Sequence, residues 1–133
     1  MRVAIDTNRL TDLFRGDVEL AEFLGTCEEV WIPFVVLGEM KAGFLGGGRQ
    51  FQNQLLLNKL LERATVDVLY STSRTAEQYA QLFIQLRRAG TPIPQNDIWI
   101  AALALENDLG LITRDRHFDN IPQLRRLWGK ASG

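Results

Sequence analysis

Asn96-Asp97-Ile98-Trp99-Ile100-Ala101-Ala102-Leu103-Ala104-Leu105-Glu106-Asn107-Asp108-Leu109-Gly110-Leu111-Ile112-Thr113-Arg114-Asp115 decides the fold. Asn96 reads as the cap of an apolar helix that ends near Asn107. Gly110–Thr113 then reads as a short buried strand, bounded by a glycine and a charged pair. A helix that feeds an apolar strand belongs to a parallel sheet covered by helices. Asp97 stands at the start of that helix, and Asp115 directly follows the strand.

The same alternation extends outward in both directions. Arg2–Asp6 reads as a strand, and Thr7 or Asn8 caps a short helix through Arg15. Val18–Cys27 is a second helix, broken from the first at Gly16-Asp17. Glu29–Ile32 is a strand, and Pro33 opens the next helix, which runs to about Leu45. Gly46-Gly47-Gly48 stops it; without a following Lys-Ser/Thr, and after a helix rather than a strand, this is no phosphate loop. Gln50–Ala64 is helical, Val66–Tyr70 a strand and Ser73–Ala89 a long amphipathic helix. Leu124–Trp128 is a candidate last strand. Strands alternating with helices predict right-handed crossovers and an α/β fold.

At 133 residues the chain is expected to form one domain, 1–133, with a proper core. With 46% hydrophobic and 23% charged residues, the composition is that of a globular protein, not a disordered one. The net charge of −1 excludes binding of nucleic acid by bulk positive charge, though not a nuclease with local basic patches. One cysteine, Cys27, leaves no intrachain disulfide, and with one histidine, His117, no zinc site of the usual ligands. The opening residues read as a strand rather than a signal peptide, and the apolar run Ile98–Leu105 is far short of the ~20 residues that a membrane helix needs. A cytoplasmic protein with no membrane contact is the expectation.

Asp6, Glu39, Asp97 and Asp115 each lie at the edge of an apolar run, where a lone charge is costly. In an open parallel sheet, ligands bind outside the carboxyl ends of the strands. Asp6 and Asp115 follow strands, and Asp97 begins a covering helix, so all three belong at that edge. Glu39 is about six residues into its helix, only ~9 Å along the axis, and its long side chain leans back toward the N-terminus. Its helical neighbours Val35, Val36, Ala42 and Gly43 form an apolar face. Two such charges ~6 Å apart at an effective dielectric of ~20 repel by roughly 3 kcal/mol. Four acids make about six pairs, on the order of 15 kcal/mol, which rivals a domain's whole stability of ~5–15 kcal/mol. Either some of them are protonated or a divalent cation offsets the repulsion. An all-oxygen shell favours Mg2+ or Mn2+.

Val3-Ala4-Ile5-Asp6-Thr7-Asn8, the mid-chain glutamate helix, Asn96-Asp97-Ile98-Trp99-Ile100-Ala101-Ala102 and Gly110-Leu111-Ile112-Thr113-Arg114-Asp115 with His117-Phe118 together resemble the PIN-domain ribonucleases. The resemblance covers essentially the whole chain and is closest to the VapC toxins of toxin–antitoxin pairs. It implies a PIN-like three-layer α/β/α fold with a central parallel sheet of four to five strands. It implies a Mg2+- or Mn2+-dependent endoribonuclease that inhibits translation, with Asp6, Glu39, Asp97 and Asp115 as the catalytic, metal-holding acids. By the same resemblance Asn8 and Thr113 support the site, Asp119 is an auxiliary acid, the protein is a homodimer, and a cognate antitoxin occupies the active-site groove.

Asp6 and Asp97 are the first choice as direct ligands, with Glu39 and Asp115 bound directly or through water. Asn8, Asn96 and Thr113 are candidates to orient such waters. Arg114, Arg116 and His117 are candidates to meet phosphates of an RNA substrate; Arg87-Arg88 and Arg125-Arg126 are weaker ones. The leucine-rich helix Phe51–Leu61 has more apolar positions than one core face requires, so part of it is expected to meet an antitoxin or a second protomer. Two rival functions remain: a catalytically silent RNA-binding or scaffold module of the same fold, and an acidic Mg2+-dependent phosphatase. The phosphatases need a second acid two residues after the first, where this chain has Asn8.

Overall fold

A computed structural model describes residues 1–127. Val3, Ala4 and Ile5 are completely buried in strand β1 (Arg2–Ile5), at the centre of a five-stranded parallel sheet. Burial of successive residues, not alternate ones, marks a strand covered on both faces. The other strands are β2 (Glu29–Pro33), β3 (Val66–Leu69), β4 (Gly110–Ile112) and β5 (Arg126–Leu127), in the order β3-β2-β1-β4-β5. Val3 pairs with Val30 on one side and with Gly110 on the other; Ala4 pairs with Trp31 and Leu111.

Helices fill every crossover between the first four strands. α1 (Thr7–Phe14) and α2 (Val18–Thr26) join β1 to β2, and α3 (Phe34–Gly46) and α4 (Gln50–Leu61) join β2 to β3. α5 (Ser73–Arg88) and α6 (Gln95–Glu106) carry the chain back across the sheet to β4. Right-handed crossovers put α1–α4 on one face and α5–α6 on the other, giving three layers. The chain moves outward from β1 to β3 and then returns to β4, so the strand order reverses beside β1. The crevice at such a reversal, outside the carboxyl ends of β1 and β4, is where this architecture accepts ligands.

The apolar run of α6 behaves as its sequence suggests: Ile98, Ile100, Ala101, Ala102, Leu103 and Ala104 are all buried. A helix apolar on most sides is a core element. Gly16 (φ +94°) turns the chain between α1 and α2, and Asp17 then caps α2 by accepting from the Leu20 N–H at 3.0 Å. A positive φ costs glycine nothing.

Several boundaries differ from those the sequence predicts. Asp6, not Thr7 or Asn8, is the cap of α1. Pro33 ends β2 and precedes α3 rather than sitting inside it. Pro94, not Asn96, precedes the first helical residue of α6, and no side chain caps that helix. The proline's fixed φ already presets the helical entry, so the asparagine is free for the site. α4 stops at Leu61, short of Ala64. The last strand begins at Arg126 rather than Leu124, and Trp128 lies outside the described residues. A 3₁₀ turn over Arg116–Asn120, unforeseen in the sequence, follows β4. Cys27 is buried.

Candidate active site

One cleft at the carboxyl edge of the sheet is walled by Asp6, Glu39, Asp97 and Asp115, together with Asn8, Asn96 and His117. Each acid arrives on a different element. Asp6 leaves the end of β1 and caps α1, its Oδ1 accepting from the Arg9 N–H at 2.9 Å. Its Oδ2 accepts from the Thr113 hydroxyl at 2.5 Å, a bond across the β1–β4 pair. Thr113 is buried and in turn accepts from the Asp115 N–H at 2.9 Å. One hydroxyl therefore ties the first acid to the last. Glu39, half-buried on α3, is held by the Thr7 hydroxyl, which donates to its Oε1 at 2.7 Å. Asp97 lies in the first turn of α6, where the helix dipole favours an anion. Asp115 caps the 3₁₀ turn, accepting from the His117 N–H at 2.9 Å.

The electrostatics are those of a crowded acidic site. Asp6 is only 3% exposed. Burial pushes its carboxyl up to about 6, against the pull of the Thr113 and Arg9 donors and with the help of the Asp115 and Asp97 charges. The Asp97 carboxyl is also raised, by burial first and then by the charge of Asp115; the bond to His117 partly offsets this. His117 Nδ1 sits between two of the acids, 3.1 Å from Asp97 Oδ2 and 3.1 Å from Asp115 Oδ1.

The donor chemistry suits a divalent ion. Atoms of Asp97, Asp115 and His117 lie within 4.8 Å of one another, and Asp6 and Glu39 open onto the same cleft. Hard carboxylate oxygens from several elements are what such a cation requires.

Not every residue expected at the site opens onto the four-acid cleft. Asp119 pairs with Arg126 and lines a depression with Thr113 and Asp115, beside the four-acid cleft. Arg114 is held by Asp12, its Nε donating at 2.8 Å and its Nη2 at 3.3 Å, so its charge is already engaged. Arg116 is exposed beside the site. The argument from Glu39's neighbours holds for only half of them: Val36 is buried and Val35 half-buried, but Ala42 and Gly43 are exposed. Glu39 thus stands on the flank of α3, beside its buried face of Val36, Met40 and Phe44, and the small residues Ala42 and Gly43 are exposed instead of packed. Thr7 and Asp12 were missed as site-supporting residues. Thr7 had a signal, a hydroxyl directly after an acid at a strand end; Asp12 showed only its helical neighbour Arg9, because Arg114 is brought to it by the fold.

Residues 3–124 match the model of the PIN domain family. Ribonuclease VapC1 of Haemophilus influenzae (strain R2866) is 32% identical over 95 residues, covering 71% of this chain and 69% of that protein. Ribonuclease VapC4 of Mycobacterium tuberculosis (strain ATCC 25618 / H37Rv) is 30% identical over 95 residues, covering 70% and 72%. Among solved structures, VapBC-1 from nontypeable Haemophilus influenzae superposes with a TM-score of 0.85 at 28% identity, covering 98% of this chain and 100% of that one. The TM-score shows a shared fold, the family match spans most of the chain, and the chain belongs to the PIN domain family.

Proposed function

We propose that this protein is a divalent-metal-dependent endoribonuclease, the toxin of a toxin–antitoxin pair that acts by inhibiting translation. The observation that carries this is the meeting of Asp6, Glu39, Asp97 and Asp115, from four separate elements, in one cleft. The relatives' names, Ribonuclease VapC1 and VapC4, and the paired name VapBC-1 support the activity and the antitoxin partner.

In this function Asp6 and Asp97 hold Mg2+ or Mn2+, with Glu39 and Asp115 binding directly or through water. The ion, when bound, supplies Lewis-acid polarisation of water and positive charge toward the scissile phosphate. The chain's own residues do the rest. Thr113 fixes the rotamer of Asp6, and Thr7 fixes that of Glu39. Asn8 and Asn96 offer amides at the cleft wall for water or for a ribose–phosphate oxygen. His117 and the exposed Arg116 face a phosphate at the rim. Arg114 contributes its field while bound to Asp12. The whole chain, 1–133, acts as one PIN-like domain in the cytoplasm; among the described residues no helix is long and apolar enough to cross a membrane. A homodimer is in keeping with the exposed apolar residues of α4, Phe51, Leu55 and Leu56. A silent scaffold would not need all four acids in one cleft, and a phosphatase would need an acid where Asn8 stands.

Asp97→Asn tests the function. RNA cleavage in Mg2+ is expected to fall roughly 100-fold or more, with an unchanged far-UV circular dichroism spectrum. Undiminished cleavage in that variant, or in wild type with excess EDTA, would sink the proposal.

A further inference from the structure

An ion pair beside the acidic site joins α1 to the exit of β4. Asp12, on α1, takes the Arg114 guanidinium side-on, accepting from Nε at 2.8 Å and from Nη2 at 3.3 Å. The buried Arg9 donates to the same carboxylate through Nη1 at 2.9 Å, and that nitrogen lies 3.5 Å from Asp17. Asp12 is half-buried, whereas Arg114 is exposed. A two-point fork onto a carboxylate is strong and fixes the guanidinium in direction as well as in place. The Arg114 bonds, before those of Arg9, hold the Asp12 carboxyl below its ordinary value, so the clamp stays charged.

The position of Arg114 gives this clamp its importance. Its chain neighbours are Thr113, which donates to Asp6, and Asp115, itself one of the four acids. After Asp12, the charges that act on Arg114 are those of Asp6 and Asp115. Arginine's side chain is long and rich in rotamers. Freed from Asp12, this guanidinium is drawn toward the acids of the cleft. There it would supply part of the positive charge that the crowded carboxylates demand, in competition with a divalent ion.

We propose that Asp12 is a positioning residue of the metal site: by clamping Arg114 it keeps a built-in cation away from the four acids and leaves them open to the ion. The proposal rests on the reading of the cleft as a metal site. A role confined to tying α1 to β4 predicts something different. Loss of such a tie would loosen the fold, and removing Arg114 as well could not repair it.

The test is direct binding of Mn2+ to the full-length protein, followed by the electron paramagnetic resonance signal of the free ion. Asp12→Asn leaves an oxygen for Arg9, whose other partner Asp17 is untouched, but removes the charge that holds Arg114. The Kd for Mn2+ is expected to rise about tenfold, as a unit charge brought among the acids requires. Asp12→Asn combined with Arg114→Gln should return to within about twofold of the wild type, because the competitor is gone. Arg114→Lys reaches the same effect without touching α1: the cation stays but the fork is lost, so Mn2+ should again bind more weakly. A double variant that stays as weak as Asp12→Asn overturns the proposal. So does an unchanged Kd in both Asp12→Asn and Arg114→Lys. Should Asp12→Asn fail to fold, the exposed position decides: Arg114→Lys weaker than Arg114→Gln supports the clamp, and equal affinities overturn it. A wild type that binds no Mn2+ refutes the metal site and the proposal with it, a result distinct from a metal-binding protein indifferent to Asp12.

Discussion

Asp6 carries two duties on one carboxylate. One oxygen caps α1 and the other takes the Thr113 hydroxyl, yet the side chain stays buried beside two further acids. In an unfolded chain an aspartate loses its proton near pH ~3.9. In the fold Asp6 keeps it until about 6. Between these values the native state binds more protons than the unfolded one, so stability falls with rising pH. The contribution is fully present below the unfolded value and is lost as pH rises through about 6. In metal-free protein Asp6→Asn is therefore expected to raise stability at pH 8, on the order of 2–3 kcal/mol, and to change little at pH 4. Asparagine caps a helix as well as aspartate does, so α1 keeps its start. Urea denaturation of both proteins at the two pH values checks this; equal stabilities at pH 8 would mean that the buried charge costs nothing.

The secondary elements were the most legible part of the chain, and the reasons differ from one to the next. β1 and α6 announced themselves as unbroken apolar runs, and both proved to be core. The four acids were legible because each ends or interrupts such a run, and topology alone put them on one edge. Pairings between distant residues were not legible. Nothing in the sequence tells Arg114 to prefer Asp12 over a phosphate, or Asp119 to prefer Arg126 over the cleft. Such choices depend on angstrom-scale placement that hydrophobic periodicity does not encode. α4 lies between these cases: its excess of apolar residues was visible, and the structure leaves Phe51 74% exposed while Leu57 is completely buried. Leu57→Ala is expected to cost about 2–5 kcal/mol in unfolding experiments. Phe51→Ser combined with Leu55→Ser should leave stability within about 0.5 kcal/mol per site. The same pair should weaken association with a second copy or with a co-expressed antitoxin, followed by sedimentation velocity. If both associations survive intact, α4 is not an interface.

For the molecule as a whole, the acidic cleft is a place where local stability is given up for ligand binding. A cation that binds the native state alone returns that stability by mass action. Saturating Mg2+ or Mn2+ is expected to raise the midpoint of thermal unfolding by about 5 °C or more, and EDTA to reverse it. Asp6→Asn with Asp97→Asn should abolish the increment. A wild-type midpoint indifferent to both ions would separate the acids from metal binding. The strand order has a further consequence in time. β1, which leads into Asp6, is made early, but its neighbour β4 and Asp115 come more than a hundred residues later in the chain. Folding during synthesis proceeds from the N-terminus. A nascent chain that has not yet extended past residue 115 holds no complete set of acids and no Thr113 to lock Asp6. The ribosome thus makes this protein unarmed: the acidic cleft is completed only after most of the chain has been synthesised.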